Sequence, residues 1–256
     1  MNHYKQKILL VAVVIMAITG CNRKSQLLYL SGAGNDMYQK VTPPVYNLKP
    51  GDVLGVNIVT QDPEIRNLFN TTPQTTSYAT YTSEAAIYAT SFSVSDSGNI
   101  RLPVIGCVHV SNLSMQQAQD TIQSCADKYL KGSLAIVKLL SFKITVLGEV
   151  KRPGTYTNYK DNLNIFEAIG LAGDLTDYGQ RSNFLVVRQT AEGTKTFRLD
   201  AHDKSIFTSE AFYLLPNDTV IVEPRSGKVM ALNTPNISLV LSALTTLMLF
   251  LNYLKK

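Results

Sequence analysis

Two small α+β units in tandem, followed by one long apolar helix, are what this 256-residue sequence predicts. Three observations carry the prediction. Short β-branched runs bounded by Pro, Gly, Asn and Asp alternate loosely with two helical patterns, which favours a mixed sheet over a doubly wound one. The phrase Leu48-Lys49-Pro50-Gly51-Asp52 is echoed by Leu214-Leu215-Pro216-Asn217-Asp218, each time before a Val-rich strand. The uncharged run 237–254 is 18 residues long and is followed by Lys255-Lys256.

At the front, Lys5 and Lys7 precede the uncharged stretch 8–18, and Ile18-Thr19-Gly20-Cys21 follows. A basic n-region, a short apolar region and small residues before a cut describe a secretory signal. The cysteine directly after them makes it resemble a lipoprotein signal, which implies that 1–20 are removed and that Cys21 is lipidated as the new N-terminus. Residues 21–42 are polar and read as a tether. Asn22-Arg23-Lys24-Ser25-Gln26 holds no aspartate behind Cys21, which by analogy with sorting rules favours the periplasmic face of the outer membrane.

The first unit begins at Tyr46, with Pro50-Gly51-Asp52 as its opening turn and 53–59 as a strand. Segment 71–91, biased toward Thr, Ser, Tyr and Ala, is predicted as a long loop. Phe92 to Ser95 alternates as a strand, Asp96-Ser97-Gly98-Asn99 is a hairpin turn, and 100–106 reads as a strand broken by Pro103. Ser114 is placed to cap a helix over 115–130, whose apolar positions 115, 118, 122, 125 and 129 keep helical spacing. Gly132 ends it and a strand starts at Leu134. The boundary is expected near Leu140 to Phe142.

The second unit opens with a strand over 143–150, a turn at Lys151-Arg152-Pro153-Gly154 and a short strand at 155–157. Asn164 and Glu167 form a capping pair for a helix to Ala172, with Gly173 at its C-cap. Strands follow at 184–187, 195–199 and 214–222.

Charged residues are 17% of the chain, below the usual quarter, and the basic ones are scattered. The formal charge of +5 includes Lys5 and Lys7, leaving +3 after the signal, which argues against nucleic acid as a partner. Catalysis is not expected. His109 and His202 are the histidines left after the signal, without metal-ligand spacing, and no GxSxG elbow or phosphate-binding glycine loop occurs. Asp52, Asp96, Glu149, Asp174 and Asp218 fall at turns, where a carboxylate accepting nearby backbone N–H groups is the simple explanation. No cofactor or metal is expected. Cys107 and Cys125 are either a disulfide pair or two small buried hydrophobes.

Tyr46-x-Leu48-x-Pro50-Gly51-Asp52 with the run from Val94 through Gly98-Asn99-Ile100-Arg101-Leu102-Pro103 to Gly106 resembles the polysaccharide biosynthesis/export domain. Val146-Leu147-Gly148-Glu149-Val150-Lys151-Arg152-Pro153-Gly154-Thr155-Tyr156, continued by Glu167-Ala168-Ile169-Gly170-Leu171-Ala172-Gly173, resembles a soluble-ligand-binding β-grasp (SLBB) domain. In that order they are similar to capsule and exopolysaccharide export lipoproteins of the outer membrane. The resemblance implies an export domain over 43–141, a β-grasp-like SLBB domain over 142–224, a linker at 225–236 and a transmembrane helix at 237–254. It also implies a homo-oligomeric ring, typically of eight, for a surface polysaccharide, with an inner-membrane co-polymerase or tyrosine-kinase partner. The single SLBB repeat departs from the longest family members and implies a shorter cavity.

On a helical wheel Ser238, Ser242, Thr245, Thr246 and Asn252 share one side of 237–254, interrupted by Leu249. Val240, Ala243, Leu244, Leu247, Phe250, Leu251 and Leu254 share the other. The resemblance implies pore-facing hydroxyls and lipid-facing apolar residues in an α-helical barrel. The alternatives are a plain anchor, or a core helix whose hydroxyls bond back to its own carbonyls. For the whole chain the rival reading is a monomeric periplasmic glycan-binding lipoprotein.

Overall fold

The computed structural model describes residues 28–31, 41–70 and 88–254. The signal, Cys21 and most of 71–91 lie outside the described residues. The fold is mixed α and β, as expected.

In the first unit, strand β1 (Val53–Val59) is the centre of a three-stranded antiparallel sheet, between β2 (Phe92–Ser93) and β5 (Leu134–Leu139). Leu54 and Ile58, four apart on one face of β1, are buried. Helix α1 (Pro63–Phe69) starts at Asp62, whose carboxylate accepts from the Glu64 N–H at 2.9 Å. Strands β3 (Asn99–Leu102) and β4 (Gly106–His109) form a hairpin where the sequence suggested one interrupted strand. Pro103, without an N–H and with its φ fixed, begins a turn rather than a break, and Val104 turns it at φ 63°.

Helix α2 (Met115–Ala126) has the expected start. Ser114 accepts from Gln117 N–H, and the Gln117 side chain accepts from Ser114 N–H. Its buried face is Ala118, Ile122 and Ala126. Gln123 stitches the helix to β5, taking the Ala135 N–H at 2.7 Å and donating to the Ser133 carbonyl at 2.9 Å.

The second unit is a five-stranded sheet in the order β10 (Gly193–Leu199), β9 (Gly179–Thr190), β12 (Thr219–Pro224), β6 (Lys143–Gly148), β7 (Gly154–Thr157). Strands β12 and β6 are parallel and the remaining pairs antiparallel, so the sheet is mixed. Helix α3 (Ile165–Leu171) buries Ile165, Ala168 and Ile169 and carries the predicted capping box of Asn164 and Glu167. A two-strand ribbon, β8 (Leu163–Asn164) with β11 (Tyr213–Leu214), completes the unit. Gly148 ends β6 at φ 87°, and a Cβ there would stand 2.1 Å from the Val222 carbonyl oxygen, so only glycine closes this sheet.

Each unit has its own buried cluster, Leu48 to Val137 in one and Phe142 to Val222 in the other, and Leu139 packs against both. The front segment is not a free tether throughout. Tyr29, Leu30 and Val41 pack on the second core, and the Leu30 N–H donates to the Ala201 carbonyl at 2.8 Å.

The last element, α4 (Ser226–Leu254), is a 29-residue helix. Among the described residues no helix is long and apolar enough to cross a membrane, so the expected transmembrane element is not supported.

Candidate functional site

The two echoed phrases build the same turn. Asp52 Oδ2 accepts from the Lys49 N–H at 2.9 Å, and Asp218 Oδ2 accepts from the Leu215 N–H at 2.8 Å. In both, the aspartate N–H returns a bond to that residue's carbonyl at 3.1 Å. Gly51 and Asn217 occupy the left-handed position, at φ 90° and 69°. Their surroundings differ. Asp52 takes hydroxyl bonds from Tyr46 and Ser141, and Ser141 also accepts the Val53 N–H, which pins the boundary between the units to β1. Asp218 is held by the Arg188 guanidinium, Nη2 to Oδ2 at 2.7 Å and Nε to Oδ1 at 3.0 Å. These acids are structural, as the sequence indicated.

The units enclose a cleft of roughly 340 Å³ whose walls include Tyr46, Leu139, Phe142, Tyr159, Lys160 and Tyr213. Tyr46 is fixed by its bond to Asp52, whereas Tyr159 is open to solvent. Burial, then the charge and hydrogen bond of Asp52, push the Tyr46 pKa well above the ordinary phenol value. It therefore stays neutral and serves as a hydroxyl donor.

Tyr29 is the front segment's anchor. Its hydroxyl donates to Asp174 Oδ1 at 2.5 Å, its ring meets Phe166 edge-on, and the Arg181 guanidinium lies over it at 5.0 Å. Burial, then Asp174, raises the Tyr29 pKa above its ordinary value. For Asp174, burial pulls upward but is outweighed by the Tyr29 hydroxyl, the Leu175 N–H, Arg181 and Lys151, leaving its carboxyl below the usual range.

Helix α4 is fastened at its base, and its described side chains from 238 to 250 are exposed. Lys228 pairs with Glu149, which also accepts the Thr176 hydroxyl at 2.7 Å. Those bonds, Lys228 first, hold the Glu149 carboxyl below its ordinary value. Beyond the base, the proposed stripes are both exposed. Ser238, Ser242, Thr245 and Thr246 lie open, as do Val240, Ala243, Leu244, Leu247, Phe250 and Leu254. The side chains of Leu251 and Asn252 lie outside those described. Thr245 and Thr246 donate to the Ser242 carbonyl at 2.9 and 2.8 Å, so these hydroxyls are satisfied by their own helix. Leu249, 72% exposed, falls inside the hydroxyl stripe.

Cys107 and Cys125 are free, not bridged. Cys107 is exposed on β4, where the alternation buries its neighbour Val108 instead, while Cys125 leans against the first core from α2. His109 bonds Asn99 in the first unit, and His202 lies in the second, so no pair of histidines forms. Among the described residues no group of three His, Cys, Asp or Glu side chains could hold a metal ion.

Comparison with known families gives the chain a place. The model described as polysaccharide biosynthesis/export protein matches residues 40–140, and the SLBB domain model matches 143–198 directly behind it. The chain belongs to the polysaccharide biosynthesis/export family with an SLBB domain. Within this family it is similar to the EPS I polysaccharide export outer membrane protein EpsA of Ralstonia nicotianae, with 26% identity over 153 residues, 58% of this chain and 39% of that one. EpsA of Ralstonia solanacearum is 25% identical over 195 residues, 75% of this chain and 50% of that one. The chain thus spans half or less of the length of these curated relatives.

In this family member the export match contains β1 to β5 and the SLBB match runs from β6 through most of β10, stopping before β12 and α4. Sequence reasoning did not find Tyr29, Arg181 or Arg188 as fixed points. Each acts on a partner far along the chain, 145 residues for Tyr29 and Asp174, and no local pattern marks such a pair. The apolar run Leu27-Leu28-Tyr29-Leu30 inside the otherwise polar segment 21–42 was the available signal.

Proposed function

We propose that the chain is a lipid-anchored outer-membrane subunit of a ring-shaped channel that exports a capsular polysaccharide or exopolysaccharide from the periplasm. The reading rests above all on the ordered pair of export and SLBB domains followed by a helix whose described apolar side chains from Leu239 to Phe250 are exposed. Leu239, Leu241, Leu244, Leu247 and Leu249 are all exposed, and a row of such residues normally finds cover. Neighbouring copies and the outer membrane supply that cover in the proposed ring.

In the finer form of this proposal, the α4 helices of the ring line a passage, with Ser238, Ser242, Thr245, Thr246 and Asn252 inward and Val240, Leu244, Leu247, Phe250, Leu251 and Leu254 outward. Support comes from the uncharged run 237–254 in the sequence, and from helices satisfying their own backbone groups in lipid. The export step calls for no catalysis by this chain. A co-polymerase or tyrosine kinase of the inner membrane is the proposed partner, and lipidation at Cys21 the proposed tether.

The cleft lined by Tyr46, Tyr159 and Tyr213 favours the second reading, a monomeric glycan-binding lipoprotein, because sugars stack on tyrosine faces. Particle mass in mild detergent separates the two. A ring gives a multiple of the chain mass and loses it on deletion of 236–256, with surface polymer lost as well. A monomer with normal surface polymer after that deletion refutes the channel.

A further inference from the structure

We propose that the cavity at the base of α4 is a binding site for an oxyanion of the phosphate class. It is roughly 790 Å³, with Arg181, Arg225 and His202 in its wall beside Gln180 and Ser182. Arg181 is only 9% exposed, and its Nε and Nη1 are buried with no hydrogen-bond partner. The Nδ1 of His202 is buried and equally unpartnered. A buried polar group without a partner is costly, the more so when charged, and an acceptor brought against Arg181 at this wall would relieve that cost.

The charges around the cavity leave room for an anion. Tyr29 covers one face of the Arg181 guanidinium, but a ring face accepts none of its in-plane N–H bonds. Asp174, the nearby acid, is already engaged by the Tyr29 hydroxyl and the Leu175 N–H. Asp177 is the acid in the cavity wall itself. Against it stand Arg181 and Arg225, close enough that Arg181, after burial, lowers the Arg225 pKa. Lys228 is taken up by Glu149.

The third contribution is the backbone. Ser226 and Gly227, also in the wall, open the 29-residue α4. The first N–H groups of a helix have no partner within it, and its N-terminal end carries about half a positive charge. The Arg181 guanidinium, an imidazole and a helix N-terminus around one space, with the charge of Arg225 beside them although its Nε donates to the Gly179 carbonyl, make a donor set that suits a phosphate. The space exceeds a bare ion and accommodates a substituted phosphate. Free phosphate and the headgroup of an anionic phospholipid share this chemistry.

Isothermal titration of the full chain in neutral detergent with sodium phosphate tests the site. Saturable binding is expected, weakened at least tenfold by Arg181→Gln and by Ser182→Asp, and partly kept by Arg181→Lys. Ser182 is exposed, so Ser182→Asp adds a repelling carboxylate to the rim without disturbing the core if Arg181→Gln fails to fold. Flotation with phosphatidylcholine vesicles, with and without phosphatidylglycerol, names the source. A preference for phosphatidylglycerol that Ser182→Asp removes assigns a lipid headgroup; phosphate binding without that preference assigns a free anion. No saturable phosphate binding together with no lipid preference overturns the site, as does wild-type affinity in Ser182→Asp. The titration does not depend on ring or membrane, so its failure leaves the channel reading standing.

Discussion

Asp52 and Asp218 close the same turn, yet they should not be equally costly to remove. The Asp218 side chain is fully buried against a guanidinium, so Asp218→Ala strands Arg188 and is expected to cost about 3–5 kcal/mol. Asp52→Ala frees neutral donors and should cost about 1–3 kcal/mol. Thermal melts of the two variants of the full chain read the difference, and equal losses would show the ion pair adds nothing. The thiols give a second test. Cys107 should alkylate quickly in the folded chain and Cys125 slowly, with both modified in denatured, unreduced protein; a pair resistant there would restore the bridge. The turns were legible from the sequence because Pro-Gly-Asp and Pro-Asn-Asp chemistry acts within four residues. Arg188 was not, because its partner is 30 residues away across a sheet.

Helix starts were the most legible elements, since capping boxes are local: both Ser114 with Gln117 and Asn164 with Glu167 form as read. The β3–β4 hairpin was hidden because its turn places Val104, a β-branched residue, at φ 63°. Such a residue strains there by roughly 1–2 kcal/mol, whereas asparagine tolerates it. Val104→Asn is therefore expected to raise the melting temperature by a few degrees, and a lower value would mean that Val104 is held in place by contacts the strain serves. Docking of the front segment should follow the ionisation of Asp174. Its carboxyl lies below the ordinary value, so the contribution is full above about pH 4 and lost as pH falls further. The protection factor of the Leu30 amide against hydrogen exchange reads this directly. It should stay level from pH 8 to 5, drop below about pH 4, and be low throughout in Tyr29→Phe. Unchanged protection in Tyr29→Phe would assign the docking to Leu30 and Val41 alone.

At the scale of the whole molecule, α4 decides between channel and binding module. Leu247→Arg places a charge on the apolar side and should abolish membrane assembly, at about 2.5–3.5 kcal/mol per helix if that position reaches lipid. Ser242→Arg should assemble normally and impede polymer. Equal defects would mean that α4 has no wet side, a result already suggested at residue scale by Leu249 within the stripe and by threonines bonded to their own backbone. The route of the chain adds one more consequence. It touches the second unit at Tyr29 and Val41, leaves to build the first unit, and returns at Phe142. The first unit is therefore a side branch, hung by both ends from the second. Traction applied at the front of the chain enters the second unit at Tyr29 and leaves along β12, which runs directly into α4. The export domain lies outside that load path.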